Sequence, residues 1–391
     1  MNTYAQPWLS PQISELLAQG QAAAGPAALV PAGAVGSQQY RLLAAVTLPA
    51  GTSPWAVAVA PNGNVYVLNI NSNNVTVIDS VTNTVITTLP AGTQPIAVAV
   101  APNGNVYIPN NASGNVTVID SVTNTVIATV TAGSQPTAVA VAPNGNVYVA
   151  NNASTDVTVI NSATNTVITT LPVGSTPRGV AVAPNGNVYV ANRGSGSVTV
   201  ISSATNTVIA TVPAGTSPQA VAVAPNGNVY VANNGSGNVT VINSVTNMVI
   251  ATVPAGSSPN NVAVAPNGNV YVTNQSSNSV TVIDSATNTV LATLPGTGSN
   301  AVAVAPNGIV YIPNGPSGTV TVINSATNMV LATLPAGNGP FAVAVAPNGN
   351  VYVPNITSND VSVFPPVPTL VSISPAQGVP AGGNTVTLTG T

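Results

Sequence analysis

The chain has 391 residues and carries three Arg, five Asp and one Glu, with no Lys, His or Cys, for a formal charge of −3. Charged side chains make up 2% of it, against about 25% in an average soluble domain, and the lack of Cys and His removes disulfides, zinc–thiolate sites, thiol nucleophiles and histidine bases. Nucleic-acid binding needs many phosphate contacts from Lys and Arg, and three arginines supply no basic track.

Residues 1–20 have neither the basic region nor the continuous apolar region of a conventional secretory leader. Ser10-Pro11, followed by Glu15, is a helix start, and the segment 12–22 with Ile13, Leu16 and Leu17 reads as a short helix. Residues 22–36 are apolar, but Pro26, Pro31 and three glycines interrupt them. No run of about 18 uninterrupted apolar residues offers a membrane span, although the mean hydropathy is +0.40. Residues 1–38 do not repeat and are read as an N-terminal arm, either a disordered leader or a docking arm for a neighbouring subunit.

From there the chain copies itself. Pro-Asn-Gly recurs at Pro61, Pro102, Pro143, Pro184, Pro225, Pro266, Pro306 and Pro347, spaced by 41 residues five times, then 40, then 41. A period of this size with several short strands per unit indicates a propeller or another closed array. Within the first unit, 56–60, 64–69, 74–79 and 84–89 are β-branched or aromatic runs bounded by turn residues, the expected signature of strands. Asn62-Gly63 predicts a type I′ hairpin between the first two strands, and Pro61 marks the end of the first because it has no N–H to donate. Asp79-Ser80-Val81-Thr82-Asn83 joins the third and fourth, with short polar side chains suited to bonding the local backbone. Each unit is thus a four-stranded antiparallel meander.

Eight copies of strands one to three are present, but only seven copies of strand four follow them. The eighth stands at the other end, where residues 41–51 finish in the same Thr-Leu-Pro-Ala-Gly as residues 88–92. The fold class is therefore all-β, an eight-bladed propeller of four-stranded antiparallel blades spanning 39–364, its last blade closed by the N-terminal strand. Sharing a blade between the two ends ties the ring shut and covers an edge strand.

The second strands read YVLN, YIPN, YVAN, YVTN and YVPN, with Val270-Tyr271-Val272-Thr273-Asn274 giving VYVTN in one unit. On these motifs the chain resembles the YVTN family of β-propeller repeat proteins over roughly residues 40–364. The resemblance implies a propeller, usually seven-bladed in relatives, which stands as the alternative blade count. It also implies an extracytoplasmic or cell-surface setting. A chain without cysteine fits such an exposed, oxidising environment, and the expected location is extracellular or on a cell or spore surface.

Two repeated side chains invite chemical readings. Asp79, Asp120 and Asp284 share a repeat position filled elsewhere by Asn and Ser; they are read as hairpin residues rather than calcium ligands. The tyrosines, Tyr66 through Tyr352, lie mid-strand in all eight units and are read as inter-blade packing, each hydroxyl needing a partner when buried. No metal ligands and no cofactor are expected.

Comparing the blades with one another locates the candidate site. One rim, formed by the turns after strands one and three, is nearly constant: Pro-Asn-Gly and Ser-Xaa-Thr-Asn. The other varies. The residue entering the innermost strand runs Trp55, Ile96, Thr137, Arg178, Gln219, Asn260, Asn300 and Phe341 around the ring, and the neighbouring loop carries Arg193-Gly194-Ser195 in the fourth blade. Exposed variable loops are where recognition concentrates, with Trp55 and Phe341 on adjacent blades across the closure.

Beyond the repeats, Pro365, Pro366 and Pro368 form a stiff linker into residues 369–390, which resemble the opening strands of an immunoglobulin-like IPT/TIG module. The reading of the whole is a non-catalytic surface scaffold, structural or adhesive. Its rivals are a self-assembling filament or coat subunit that uses the arm and tail strands, and a glycan- or protein-binding module on the variable rim.

Overall fold

The computed structural model describes residues 45–296, 300–367, 370–374 and 387–390. The helix expected over 12–22, the strap over 22–36 and the start of the closing segment at 41–44 lie outside these residues. The chain divides into one unit over Val46–Val363 and a second made of the residues outside it. In the second unit, Leu370–Ser374 pairs antiparallel with Thr387–Gly390.

The unit Val46–Val363 is a ring of eight four-stranded antiparallel sheets. In the first blade the strands are Pro54–Val59, Asn64–Asn69, Asn74–Asp79 and Thr84–Pro90, running in sequence from the channel outward. The last blade takes Ala344–Val345, Val351–Asn355 and Asp360–Phe364 from one end of the unit and Val46–Pro49 from the other. Val46 lies opposite Val363 and Leu48 opposite Val361. The closure read from the sequence is therefore present, and the count is eight.

The second and third strands lie between two neighbouring blades and bury both faces. This is why Val-Tyr-Val and Val-Thr-Val-Ile show no alternation of apolar and polar residues. Ala60, Tyr66, Leu68, Val75 and Val77 of the first blade pack against Val106, Ile108 and Ile119 of the second, and the pattern repeats around the ring. Each such side chain, taken fully out of water, contributes roughly 1.5–3 kcal/mol.

Toward the perimeter the wedge between blades opens. Every large hydrophobic residue exposed among the described residues lies on an outermost strand or the hairpin leading into it, for example Val81, Ile127, Ile209 and Met248. These strands remain sheet edges, since the shared blade covers only the strand Asp360–Phe364. A bulge at the second or third residue of the strand, as where Val77 opposes Thr87 and Ile78 opposes Val85, disrupts the ladder there. Most of these strands also end in Pro, and both devices blunt pairing with another chain.

The constant rim is a set of latches between blades. Asn62 Nδ2 donates to the Ser121 carbonyl at 2.7 Å, Asn64 Nδ2 to the same oxygen at 3.1 Å, and the Tyr66 hydroxyl to Asn124 Oδ1 at 2.6 Å. Across the closure, Asn348 Nδ2 reaches the Ser80 carbonyl and the Tyr352 hydroxyl reaches Asn83 Oδ1, both at 2.6 Å. The tyrosines thus pack between blades, as read from the sequence, with a neighbouring hairpin as hydroxyl partner.

The first hairpin differs from the type I′ turn expected of Asn-Gly. Gly63 N–H donates to the Ala60 carbonyl and Ala60 N–H donates to the Asn64 carbonyl, so Pro61-Asn62-Gly63 is a three-residue loop in which only Gly63 takes a positive φ, +90°. Proline's fixed φ suits the first central position of a type I turn, and a left-handed glycine then completes the bulged hairpin. Gly145 is equivalent, at φ +85° with Ser162 Oγ 2.9 Å from where a Cβ would stand. Gly145→Ala is expected to lower stability by about 1–3 kcal/mol, measured by chemical denaturation.

Candidate functional site

At the variable rim each regular blade opens its innermost strand with a bulge. Pro54 opposes Asn69 and Ala56 opposes Leu68, which leaves Trp55 as the extra residue; Thr137, Arg178, Gln219 and Asn260 stand in the same place. A bulge re-aims its side chain out of the ladder, so the most variable position of the repeat is the one that is freed from the sheet. Blades two, seven and eight lack the regular form. Pro109, Pro313 and Pro354 stand where the second strand would donate to the first, and the innermost strand shrinks to two residues in each. In these blades Ile96 and Phe341 are held by N–H bonds to the Pro109 and Pro354 carbonyls.

Most of the rim residues engage a neighbour. Trp55 and Phe341, placed on adjacent blades by the sequence reading, meet across the closure with ring centroids 4.1 Å apart and planes tilted by 39°. Their faces are given largely to each other, and both are half-buried. Thr137 Oγ1 donates to the Pro177 carbonyl of the next blade at 3.2 Å. Asn260 Nδ2 donates to Asn300 Oδ1 at 3.1 Å, and Gln275 Nε2 reaches the same oxygen at 3.1 Å. Ile96 is half-buried.

Arg178, Arg193 and Gln219 do not follow this pattern. Arg178 and Arg193 are exposed, and neither guanidinium has a hydrogen bond or ion pair among the described residues. Burial of its inner part, and secondarily the like charge of Arg193, lower the Arg178 pKa from its ordinary value. Gln219 Oε1 and Thr176 Oγ1 are buried without a hydrogen-bond partner. Between blades four and five lies an open depression of about 540 Å³, lined by Arg193, Gly194, Ser195, Thr176, Ser217 and Ser236 among others. A second, apolar depression of about 340 Å³ opens on the constant rim between Val223, Val264, Val304 and the adjoining Ala-Pro pairs.

The carboxylates take structural roles. Asp79 Oδ1 accepts from the N–H groups of Val81 at 2.7 Å and Thr82 at 3.3 Å, and these bonds hold its pKa below the usual carboxylate value. Asp120 is lowered in the same way by the backbone of Thr123 and Val122. Asp284 accepts from Ala286 N–H. On the other rim, Asp156 and Asp360 each accept from a buried Asn at 2.6 Å and from a Ser hydroxyl at 3.0 Å. Among the described residues no three His, Cys, Asp or Glu gather around a common point, and no helix is long and apolar enough to cross a membrane.

Beneath the rim lies a network that the sequence reading did not single out. The Asn that ends each second strand is buried; Asn69 Nδ2 donates to Asn74 Oδ1 at 2.8 Å and Thr76 Oγ1 at 3.0 Å, with equivalents in the other blades. Its signal was available, since an Asn stands three residues after the strand tyrosine in all eight units. These bonds pin the base of each variable loop.

Comparison with known proteins agrees with this architecture. Residues 175–201 match the NHL repeat family model. No curated protein matches the sequence. Among solved structures, the chain is similar to the computationally designed Ika8 protein, with a TM-score of 0.70 at 19% identity over 81% of this chain and 98% of that one. It is also similar to hydrazine synthase of Kuenenia stuttgartiensis, with a TM-score of 0.57 at 20% identity over 85% and 98%. At these identities the likeness is one of fold.

Proposed function

We propose that this β-propeller is a non-catalytic scaffold, working as structural or adhesive material outside the cell or on its surface. The observation that carries the reading is where the polar side chains go: the Pro-Asn-Gly amides latch one blade to the next, and all five described carboxylates accept bonds inside turns or the rim network. Groups committed in this way are not poised as acids, bases or nucleophiles. Folds host sites without supplying them, so the likeness to hydrazine synthase brings no activity with it. The match to the NHL repeat supports a role in protein contacts.

The scaffold reading expects a purified protein that keeps its far-UV circular dichroism above about 90 °C and turns over no ester, glycoside or peptide substrate. Hydrolysis at about 1 s⁻¹ or faster would overturn it. Labelling intact source cells with an antibody against the propeller tests the location. Recognition on the variable rim is the second reading, and blade four favours it, because its two guanidinium groups stand without partners among the described residues.

A further inference from the structure

We propose that the rim of the fourth blade binds an acidic saccharide, a sugar chain bearing carboxylate or sulfate groups, through Arg178, Arg193 and the depression toward the fifth blade. The assignment rests on the rim-recognition reading and specifies its ligand.

In a chain of near copies, departures from the repeat are informative, and here they cluster. Blade four carries Arg178 and Arg193, two of the three arginines in the sequence. It also has Gly179 where every other blade has Ala or Asn. That glycine lets the innermost strands draw together, since a Cβ on it would stand 2.5 Å from the Gln219 carbonyl oxygen. Gly194 likewise makes room, its Cβ position being 2.6 Å from Thr176 Oγ1. Arg193 N–H is bonded to the Thr176 carbonyl at 3.0 Å, which fixes the loop over the crossover strand. Pro177 and Asn192 are cross-strand partners, so the two arginines flank one rung of the ladder.

Two like charges held on one rung without a counter-charge repel each other. An anion between them relieves that repulsion, and guanidinium groups grip carboxylate and sulfate oxygens with paired N–H donors. The two described acids of this rim, Asp156 and Asp360, are already bonded to a buried Asn and a Ser hydroxyl each. The rest of the site specifies more than charge. Thr176 Oγ1 is buried without a partner, and Ser195, Ser217 and Ser236 add hydroxyls around the same space of about 540 Å³. Such a lining sets hydroxyl groups beside apolar surface in equal measure, which suits a sugar ring with its polar edge and apolar face. The volume falls in the range of small-molecule sites, roughly 300–1,000 Å³, and exceeds what a lone phosphate would fill.

The test is isothermal titration of the purified full chain with trigalacturonate, with maltotriose as a neutral counterpart and with inorganic phosphate. Expected are binding of trigalacturonate that weakens as salt rises, at least tenfold weaker binding of phosphate, and none of maltotriose. Arg178→Gln and Arg193→Gln should each weaken trigalacturonate tenfold or more while circular dichroism and melting stay unchanged; Trp55→Ala, across the ring, should leave binding intact. Equal binding of phosphate, binding that ignores both arginine changes, or no binding at all would overturn the proposal. Neither heat resistance nor absence of turnover enters this measurement, so its failure is distinct from failure of the scaffold reading.

Discussion

Titrated with base, the propeller should hold its full stability to about pH 10 and then unfold cooperatively between pH 10 and 12. Tyr66, Tyr230 and Tyr271 are pushed up to about 12, first by burial. Tyr107, Tyr148, Tyr189 and Tyr352 are raised for the same reason. The opposing influence is the amide of a neighbouring Asn, such as Asn64 beside Tyr66, and the charge of Asp120 adds to the rise. The unfolded chain ionises near 10, so it releases protons before the folded ring does. Stability is complete below the unfolded value and is lost as pH climbs through the folded one. A shift of two units corresponds to about 2.7 kcal/mol for each of the three strongest cases, about 8 kcal/mol together, comparable with the whole stability of an ordinary domain. Circular dichroism against pH, with phenolate absorbance followed in the same sample, checks this. Phenolate appearing at pH 10 with the fold intact, in excess of what Tyr4 and Tyr40 outside the repeats can supply, would contradict it, whereas curves for the remaining tyrosines that coincide with unfolding and lie above pH 10 are expected.

Removing the closing strand should be the most damaging local change. Val46–Pro49 completes the last blade, Leu48 is buried with Val361, Val363, Tyr352, Val65 and Val67, and Ala50 N–H is bonded to the Asn359 carbonyl. A chain that begins at residue 52 leaves Asp360–Phe364 as an apolar edge. It should melt at least about 10 °C lower, because even a few kcal/mol shift the midpoint by several degrees, and it should aggregate on heating. Leu48→Ala alone is expected to cost about 2–3 kcal/mol, at the low end for core leucines. A synthetic peptide spanning residues 41–51 should restore the midpoint of the shortened chain. A truncated protein that melts with the full chain would refute the role given to this strand.

How much of this the sequence announced depended on what repeats. The second and third strands fall where they were expected, at 64–69 and 74–79, because turn residues bound them and burial on both faces leaves continuous apolar runs. The closure was legible because the Thr-Leu-Pro-Ala-Gly ending had lost its blade at one terminus and kept it at the other. The placing of Trp55 and Phe341 on adjacent blades followed from the same count. What stayed hidden was backbone geometry. Asn-Gly is compatible with two hairpin types, and the preceding Pro61 decided between them by its fixed φ. The bulge at Trp55, Arg178 and Gln219 leaves no mark in composition, since it arises from the register of two strands. The shortened innermost strands of three blades did have a mark, the Pro of YIPN and YVPN, whose meaning emerges only once the donor it removes is placed in a ladder.

The latches of the first six blades face the same way, each gripping the hairpin of its successor, and Tyr352 of the last blade reaches back 269 residues to Asn83. On a ribosome adding roughly 5–20 residues per second, Asn83 emerges on the order of 15–50 s before its partner exists. The first blade therefore waits, nearly finished, for the last to be made, and birth order rather than chemistry sets the period in which a newborn molecule is most open to capture by another.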